Sequence, residues 1–246
     1  MDRMLYIAMT GAKQNMQALA VTSNNIANSN TTGFRADFAA MRSMPLYGDG
    51  HPSRVYAMAE RPGTDFSRGA MITTGRDLDI AVADDGFLAV QGLDGNEAYT
   101  RAGDLKVTTL GQLVTGQGLP VIGESGPVSI PPFQKLEIGV DGTISLIAEG
   151  DEALSIREHD RIKIVTPQLS ELYKGKDGLF RLKDGSEAEA TADGHIISGT
   201  LEGSNVNAAA ALVDMIEIAR QFEVQTKMMK LAEQNDERTV QILRLS

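Results

Sequence analysis

The chain has 246 residues, 42% of them hydrophobic and 5% aromatic, with no Cys, no Trp and a formal net charge of −10. That length fits one large domain or two small ones, and the composition permits a core, necessarily an aliphatic one. The acidic balance argues against nucleic acid and anionic membranes, and the missing Cys excludes a disulfide scaffold or a thiolate metal site.

The first predicted element is a helix over about residues 3–27. An apolar stripe runs along it through Leu5, Met9, Ala12, Met16, Leu19, Ser23 and Ile26, with only Ser23 breaking the pattern. Steps of four and three place these residues on one face, the seam of a helix that packs lengthwise against others. Asn24, Asn25 and Asn28, followed by Ser29-Asn30-Thr31-Thr32-Gly33, predict its end. Their side chains compete for backbone hydrogen bonds, and Gly33 tolerates a positive φ. Phe34 is then expected to pack back onto the helix end. The start, Met1-Asp2-Arg3-Met4-Leu5-Tyr6, lacks the apolar core of a secretory signal. No run of about 18 apolar residues exists that would span a membrane.

Residues 37–70 carry Pro45, Pro52 and Pro62 with Gly48, Gly50 and Gly63, so an extended arm or loose hairpin is expected there. From 71 to 200 the texture is β. Asp77-Leu78-Asp79-Ile80-Ala81-Val82 alternates polar and apolar residues, and Phe87-Leu88-Ala89-Val90 follows Asp85-Gly86. Asp-Gly occurs seven times in the chain, six of them in this stretch. Such pairs suit tight hairpins in which both central residues take positive φ, so an antiparallel meander or small barrel is predicted.

The last helix is expected to start near Ser204-Asn205-Val206-Asn207, where Ser204, Asn205 or Asn207 can cap it, and to run to about Leu243. Its stripe is Leu212, Met215, Ala219, Phe222, Thr226 and Met229, continuing through the half-polar Glu233, Asp236, Val240 and Leu243. Val213 and Ile216 widen the apolar face of its first half, so it is expected to meet more than one neighbour. The fold class is therefore α+β: terminal helices pairing as a coiled-coil-like stalk around a central antiparallel β-rich domain. The domain boundaries drawn from sequence are 1–36 plus 201–246 for the helical part, 37–70 for the arm and 71–200 for the β-domain. Charge follows the same division. Residues 1–36 hold Asp2 against Arg3, Lys13 and Arg35, residues 201–246 hold seven acids and five bases, and the whole net charge of −10 falls between. Near-neutral ends pack in an array without repulsion, while an acidic middle keeps the outside soluble.

No assembled catalytic or metal site is legible. Asp77 and Asp79 have no correctly placed Gly and distal Glu for a calcium loop. Gly116-Gln117-Gly118 with Gly123 lacks phosphate-loop spacing. His51, His159 and His195 have no metal-spaced partner. No enzyme, cofactor or metal is expected.

Asn24-Asn25-Ile26-Ala27-Asn28, then Thr31, then Gly33-Phe34-Arg35 form a long specific string, which closely resembles the signature of bacterial flagellar rod and hook proteins. The resemblance continues through Thr74–Val82, Asp85–Val90, Tyr99-Thr100-Arg101-Ala102-Gly103, Gly111–Val114 and Gly118–Gly123. It ends in Leu201-Glu202-Gly203-Ser204-Asn205-Val206-Asn207 and Met215-Ile216 with Ala219-Arg220-Gln221-Phe222-Glu223. Within the family, Arg220–Glu223, Asp177–Leu182, Ser198–Asn207 and the ending Ile242–Ser246 side with proximal rod members, with the distal rod as the alternative. A secreted adhesin-like protein is the reading from another class. The resemblance implies a structural subunit of the rod that crosses the periplasm. Such subunits are exported unfolded through the flagellar type III apparatus, without a cleaved signal peptide. The implied partners are other copies, the proximal and distal rod proteins and the export apparatus, with no nucleic acid and no membrane insertion. The residues expected at the assembly interface are Leu5, Met9, Ala12, Met16, Leu19, Asn24, Asn25, Ile26, Asn28, Gly33, Phe34, Asn205, Asn207, Leu212, Val213, Met215, Ile216, Ala219, Arg220 and Phe222.

Overall fold

The structure, a computed structural model, describes residues 4–38, 41–45, 55–59, 63–148, 156–191 and 194–245. The chain divides into two units. One gathers Met1–Ser29, Ala36–Asp65 and Val206–Ser246, and the other gathers Asn30–Arg35 and Phe66–Asn205.

In the first unit, helix α1 spans Met4–Ala27 and helix α2 spans Ala208–Leu245. Asn207 is the residue that caps α2. Its side-chain oxygen accepts the N–H groups of Ala209 and Ala210 at 3.1 Å each, satisfying donors that a helix start otherwise leaves open. At the end of α1, Asn28 turns back onto Asn24, its N–H and its side-chain amide both reaching the Asn24 carbonyl, at 3.1 and 2.9 Å. Asn25 does something different. Its amide group pairs with both backbone groups of Asp37, donating to the carbonyl at 2.8 Å and accepting the N–H at 3.0 Å. A side chain thus stands in for a neighbouring strand and fixes where the chain runs after the helix.

The segment expected to be an arm or loose hairpin forms nested antiparallel pairs. Strand β1 (Asp37–Phe38) pairs with β4 (Gly63–Thr64), and β2 (Met41–Pro45) pairs with β3 (Val55–Ala59). Strand β3 lies on α1, and α1 packs along α2. The Pro- and Gly-containing tip at 46–54 lies outside the described residues.

The second unit is antiparallel throughout its ladders. Its main sheet has five strands in the order Ile164–Val165, Phe87–Gln91, Glu97–Thr100, Phe180–Leu182 and Leu172–Lys174. Phe133–Ile138, Thr143–Ala148 and Arg157–Arg161 form a three-stranded sheet. Two ribbons pair distant parts of the chain: Met71–Thr73 with Thr200–Glu202, and Ile80–Val82 with Ile196–Ser198. The Asp-Gly turns differ from expectation in one respect. At Asp94, Asp141, Asp177 and Asp184 only the following Gly has positive φ. Each Asp instead accepts, on its side chain, the N–H two residues on, at 3.0–3.3 Å. Asp holds the turn and Gly supplies the left-handed step, which is a different chemistry from two adjacent positive-φ residues.

Strand Phe87–Gln91 is buried on both faces. Leu88 and Val90 join an aliphatic cluster with Ile80, Leu105, Leu113, Val121, Ile144 and Ile196. Phe87 and Ala89 join a second cluster with Tyr99, Leu172 and Phe180. That second core is partly aromatic, contrary to the expectation of a purely aliphatic interior: the Phe180 ring lies 5.4 Å from Phe87 and 5.5 Å from Phe66. The unit boundaries also differ from those drawn at 36, 70 and 200. Residues 30–35, 66–70 and 201–205 belong with the β-domain, and 36–65 belongs with the helices. The first shift follows from a buried ion cluster that ties Arg35 to Glu202 in the β unit.

Candidate assembly faces and a buried charged node

Helix α1 buries only part of the stripe its sequence displays. Its buried residues are Ala8, Ala12, Gln14, Asn15 and Ala18. Small side chains here let α2 approach closely. A Cβ added at Gly11 would lie 3.0 Å from the Gln225 side chain. The expected seam splits in two. Ala12, Leu19 and Ile26 face inward, whereas Met9 is 51% exposed, Met16 is 61% exposed, and Leu5 and Ser23 are exposed as well. At about 100° per residue the exposed stripe is turned roughly a quarter turn from the packed face. Tyr6 extends it outward.

Helix α2 behaves in the same way. Met215, Ala219, Phe222, Thr226 and Met229 are half-buried, and Ala232 is buried. Leu212, Val213 and Ile216 are exposed, as are Val224 and Leu231 further on. Arg220 and Asn207 are exposed, Asn24 is exposed, and Asn25, Asn28 and Asn205 are half-buried. Both helices therefore carry a packed face and a second apolar face left open to solvent.

Gly33, Phe34 and Arg35 are brought elsewhere, into the β unit. Gly33 has φ +67, and a Cβ there would lie 2.3 Å from the backbone of Arg101. Its N–H donates to the carbonyl of Glu202 at 2.7 Å. The Phe34 ring lies against Lys174 within the β unit. Lys174 Nζ sits 3.9 Å from its centroid and donates to the Arg35 carbonyl at 2.7 Å. The Arg35 guanidinium Nη2 lies 2.6 Å from Glu202 Oε1, and Arg101 Nε lies 2.6 Å from Glu202 Oε2. The three side chains are 1%, 0% and 2% exposed. Glu202 Oε1 also accepts the Gly69 N–H at 3.0 Å. Arg101 spends its remaining donors on the carbonyls of Val82, Asp84 and Gly86, at 2.7–3.0 Å. Arg35 is less well served: its buried Nε and Nη1 have no hydrogen-bond partner among the described residues.

Burial pushes the Glu202 carboxyl up, but Arg101, Arg35 and the Gly69 N–H oppose it and hold it below the ordinary carboxylate range. One carboxylate shared by two buried guanidiniums leaves a net positive charge inside the unit. Such a node persists only while all three members stay in place, because breaking a buried pair costs about 3–5 kcal/mol. Arg35, Arg101 and Glu202 all fall inside the sequence motifs, but nothing in those motifs marks them as ion partners. The available signal was a lone charge inside each of three otherwise apolar or glycine-containing strings.

These geometric features coincide with matches to known proteins. Residues 5–35 match a family model described as flagella basal body rod protein, and residues 81–146 match the flagellar hook protein FlgE/F/G D1 domain. Residues 197–242 match the flagellar basal body rod FlgEFG protein C-terminal model. The chain belongs to the flagellar basal-body rod and hook family. Among its relatives, flagellar basal-body rod protein FlgF of Escherichia coli (strain K12) is 44% identical and that of Salmonella typhimurium 42%, each over 100% of both chains. Flagellar basal-body rod protein FlgG of Bacillus subtilis is 34% identical over 95% of this chain and 96% of its own.

Proposed function

We propose that this chain is a structural subunit of the flagellar basal-body rod, of the proximal kind, which polymerises through its terminal helices and passes on motor torque. The observation that carries the assembly reading is the spare apolar face on each helix: Leu5, Met9 and Met16 on α1, and Leu212, Val213 and Ile216 on α2, all exposed. Each such side chain contributes roughly 1.5–3 kcal/mol when fully buried. A lattice of many copies adds these small terms into a stiff shaft. The proximal assignment leans on the 44% and 42% identities to FlgF proteins against 34% to the Bacillus subtilis FlgG. Its neighbours are other copies and the proximal and distal rod proteins. It reaches the rod, across the periplasm, through the type III export apparatus. No helix among the described residues is long and apolar enough to cross a membrane. The test is complementation. A flagellate bacterium deleted for its own FlgF-type protein, given this chain, should build complete basal bodies and swim. Full expression with no rod beyond the point of arrest would overturn the reading.

A further inference from the structure

Each strand by which the chain passes between its two units, as divided above, is laced to one point in the β unit. Residues 30–35 enter and leave that unit, 66 enters it and 205 leaves it. Gly33 donates to the Glu202 carbonyl, Gly69 to the Glu202 carboxylate, and Gly203 donates to the Ala70 carbonyl at 2.8 Å. The Asn205 N–H reaches the Phe34 carbonyl at 3.3 Å, and its side-chain amide reaches the Ser67 carbonyl at 3.0 Å. At the centre of these bonds Glu202 is clamped between Arg35 and Arg101. Arg101 in turn is tied to the carbonyls of the strand-and-turn segment 82–86. A node like this is a poor choice for stability alone, since apolar residues of similar volume often serve as well. Its distinctive property is directional: charge-assisted bonds at 2.6 Å resist displacement of one strand past another, which apolar packing does weakly.

We propose that the Arg35–Glu202–Arg101 node is the anchor through which force enters the β unit of the subunit. It grips all the crossing strands at one point, so force carried along them enters the β unit at Glu202 instead of peeling its edge ribbons apart. Lys174 supports the anchor through the Arg35 carbonyl and the Phe34 ring. The proposal rests on the rod reading for its purpose and on the geometry for its existence, and the test separates the two.

Full-length Glu202→Gln and Lys174→Met are compared with the unaltered chain. By hydrogen exchange on the purified protein, protection of the Gly33, Gly203 and Asn205 amides should fall by roughly a hundredfold to a few thousandfold in Glu202→Gln, the factor expected on breaking a buried pair. Amides within Phe87–Gln91 should keep theirs. An ion pair with a merely structural role would lower protection evenly across the unit, and that result would overturn the anchor. In complemented cells, swimming speed should fall more steeply with medium viscosity for both variants than for the unaltered chain. Superposed speed–viscosity curves would also overturn it. If Glu202→Gln fails to fold, Lys174→Met carries both comparisons: it cuts the bond to the Arg35 carbonyl and should lower protection of the same three amides, and unchanged protection would overturn the anchor. If the unaltered chain itself fails to restore motility, the rod reading falls while the exchange result still decides whether the node grips the strands.

Discussion

Placing a carboxylate on the spare face of α2 separates assembly from folding. Ile216 is 54% exposed, so a little under half of its side chain is already covered within the chain. With full burial worth roughly 1.5–3 kcal/mol, Ile216→Asp costs the free protein about 1 kcal/mol, and its charge stays hydrated. Between subunits the sum is different. The remaining half of the apolar contact is lost, and a carboxylate must be desolvated at an effective cost of several kcal/mol. A total of about 4 kcal/mol weakens each contact roughly a thousandfold, since 1.4 kcal/mol is one factor of ten. Ala12→Asp is the contrasting variant. Ala12 is 6% exposed, so a charge there should melt the helical unit in the free chain. The assay pairs thermal melting of the purified variants, followed by helical circular dichroism, with soft-agar swimming of complemented cells. Ile216→Asp should melt near the unaltered protein and leave cells immotile; Ala12→Asp should lose its helical transition. Normal swimming with Ile216→Asp, or helix loss equal to that of Ala12→Asp, would refute the reasoning.

Gly33→Ala should destabilise the β unit by about 2 kcal/mol or more, through the positive φ and the 2.3 Å approach to the Arg101 backbone, and lower its melting temperature by several degrees. An unchanged melt would show that residues 30–35 do not dock as described. The Tyr99 phenol is pushed up to about 12, first by burial, then by the Glu97 charge, while the Ala188 N–H at 2.6 Å works the other way. A raised phenol stabilises the fold fully below pH 10 and loses that contribution as pH rises through 12. A spectroscopic titration should therefore show one of the five tyrosines ionising late, with alkaline unfolding following it. Ordinary titration of all five would contradict the buried placement.

Much of the architecture was legible because it rests on local chemistry. Asn207 as a cap, the Asn24–Asn28 helix end and the Asp-Gly turns follow from side chains bonding to their own neighbourhood. What the sequence hid was long-range. A heptad stripe says that a helix face will be buried, but not by what. On α1 the strongest stripe, Leu5–Met9–Met16, stays open, while Ala8, Ala12 and Ala18 pack inward because small residues let two helices come close. The charged node was hidden for a similar reason. Arg35, Arg101 and Glu202 lie 66 and 101 positions apart along the chain, and nothing in their immediate surroundings marks them as partners.

Assembly through the termini requires that the open helix faces become covered in the rod. The chain has no Cys, so Met16→Cys and Ile216→Cys each provide a single thiol on one of those faces. Labelling with a soluble maleimide should be fast in the purified chain and blocked in isolated basal bodies. Equal labelling in both would contradict assembly through these faces.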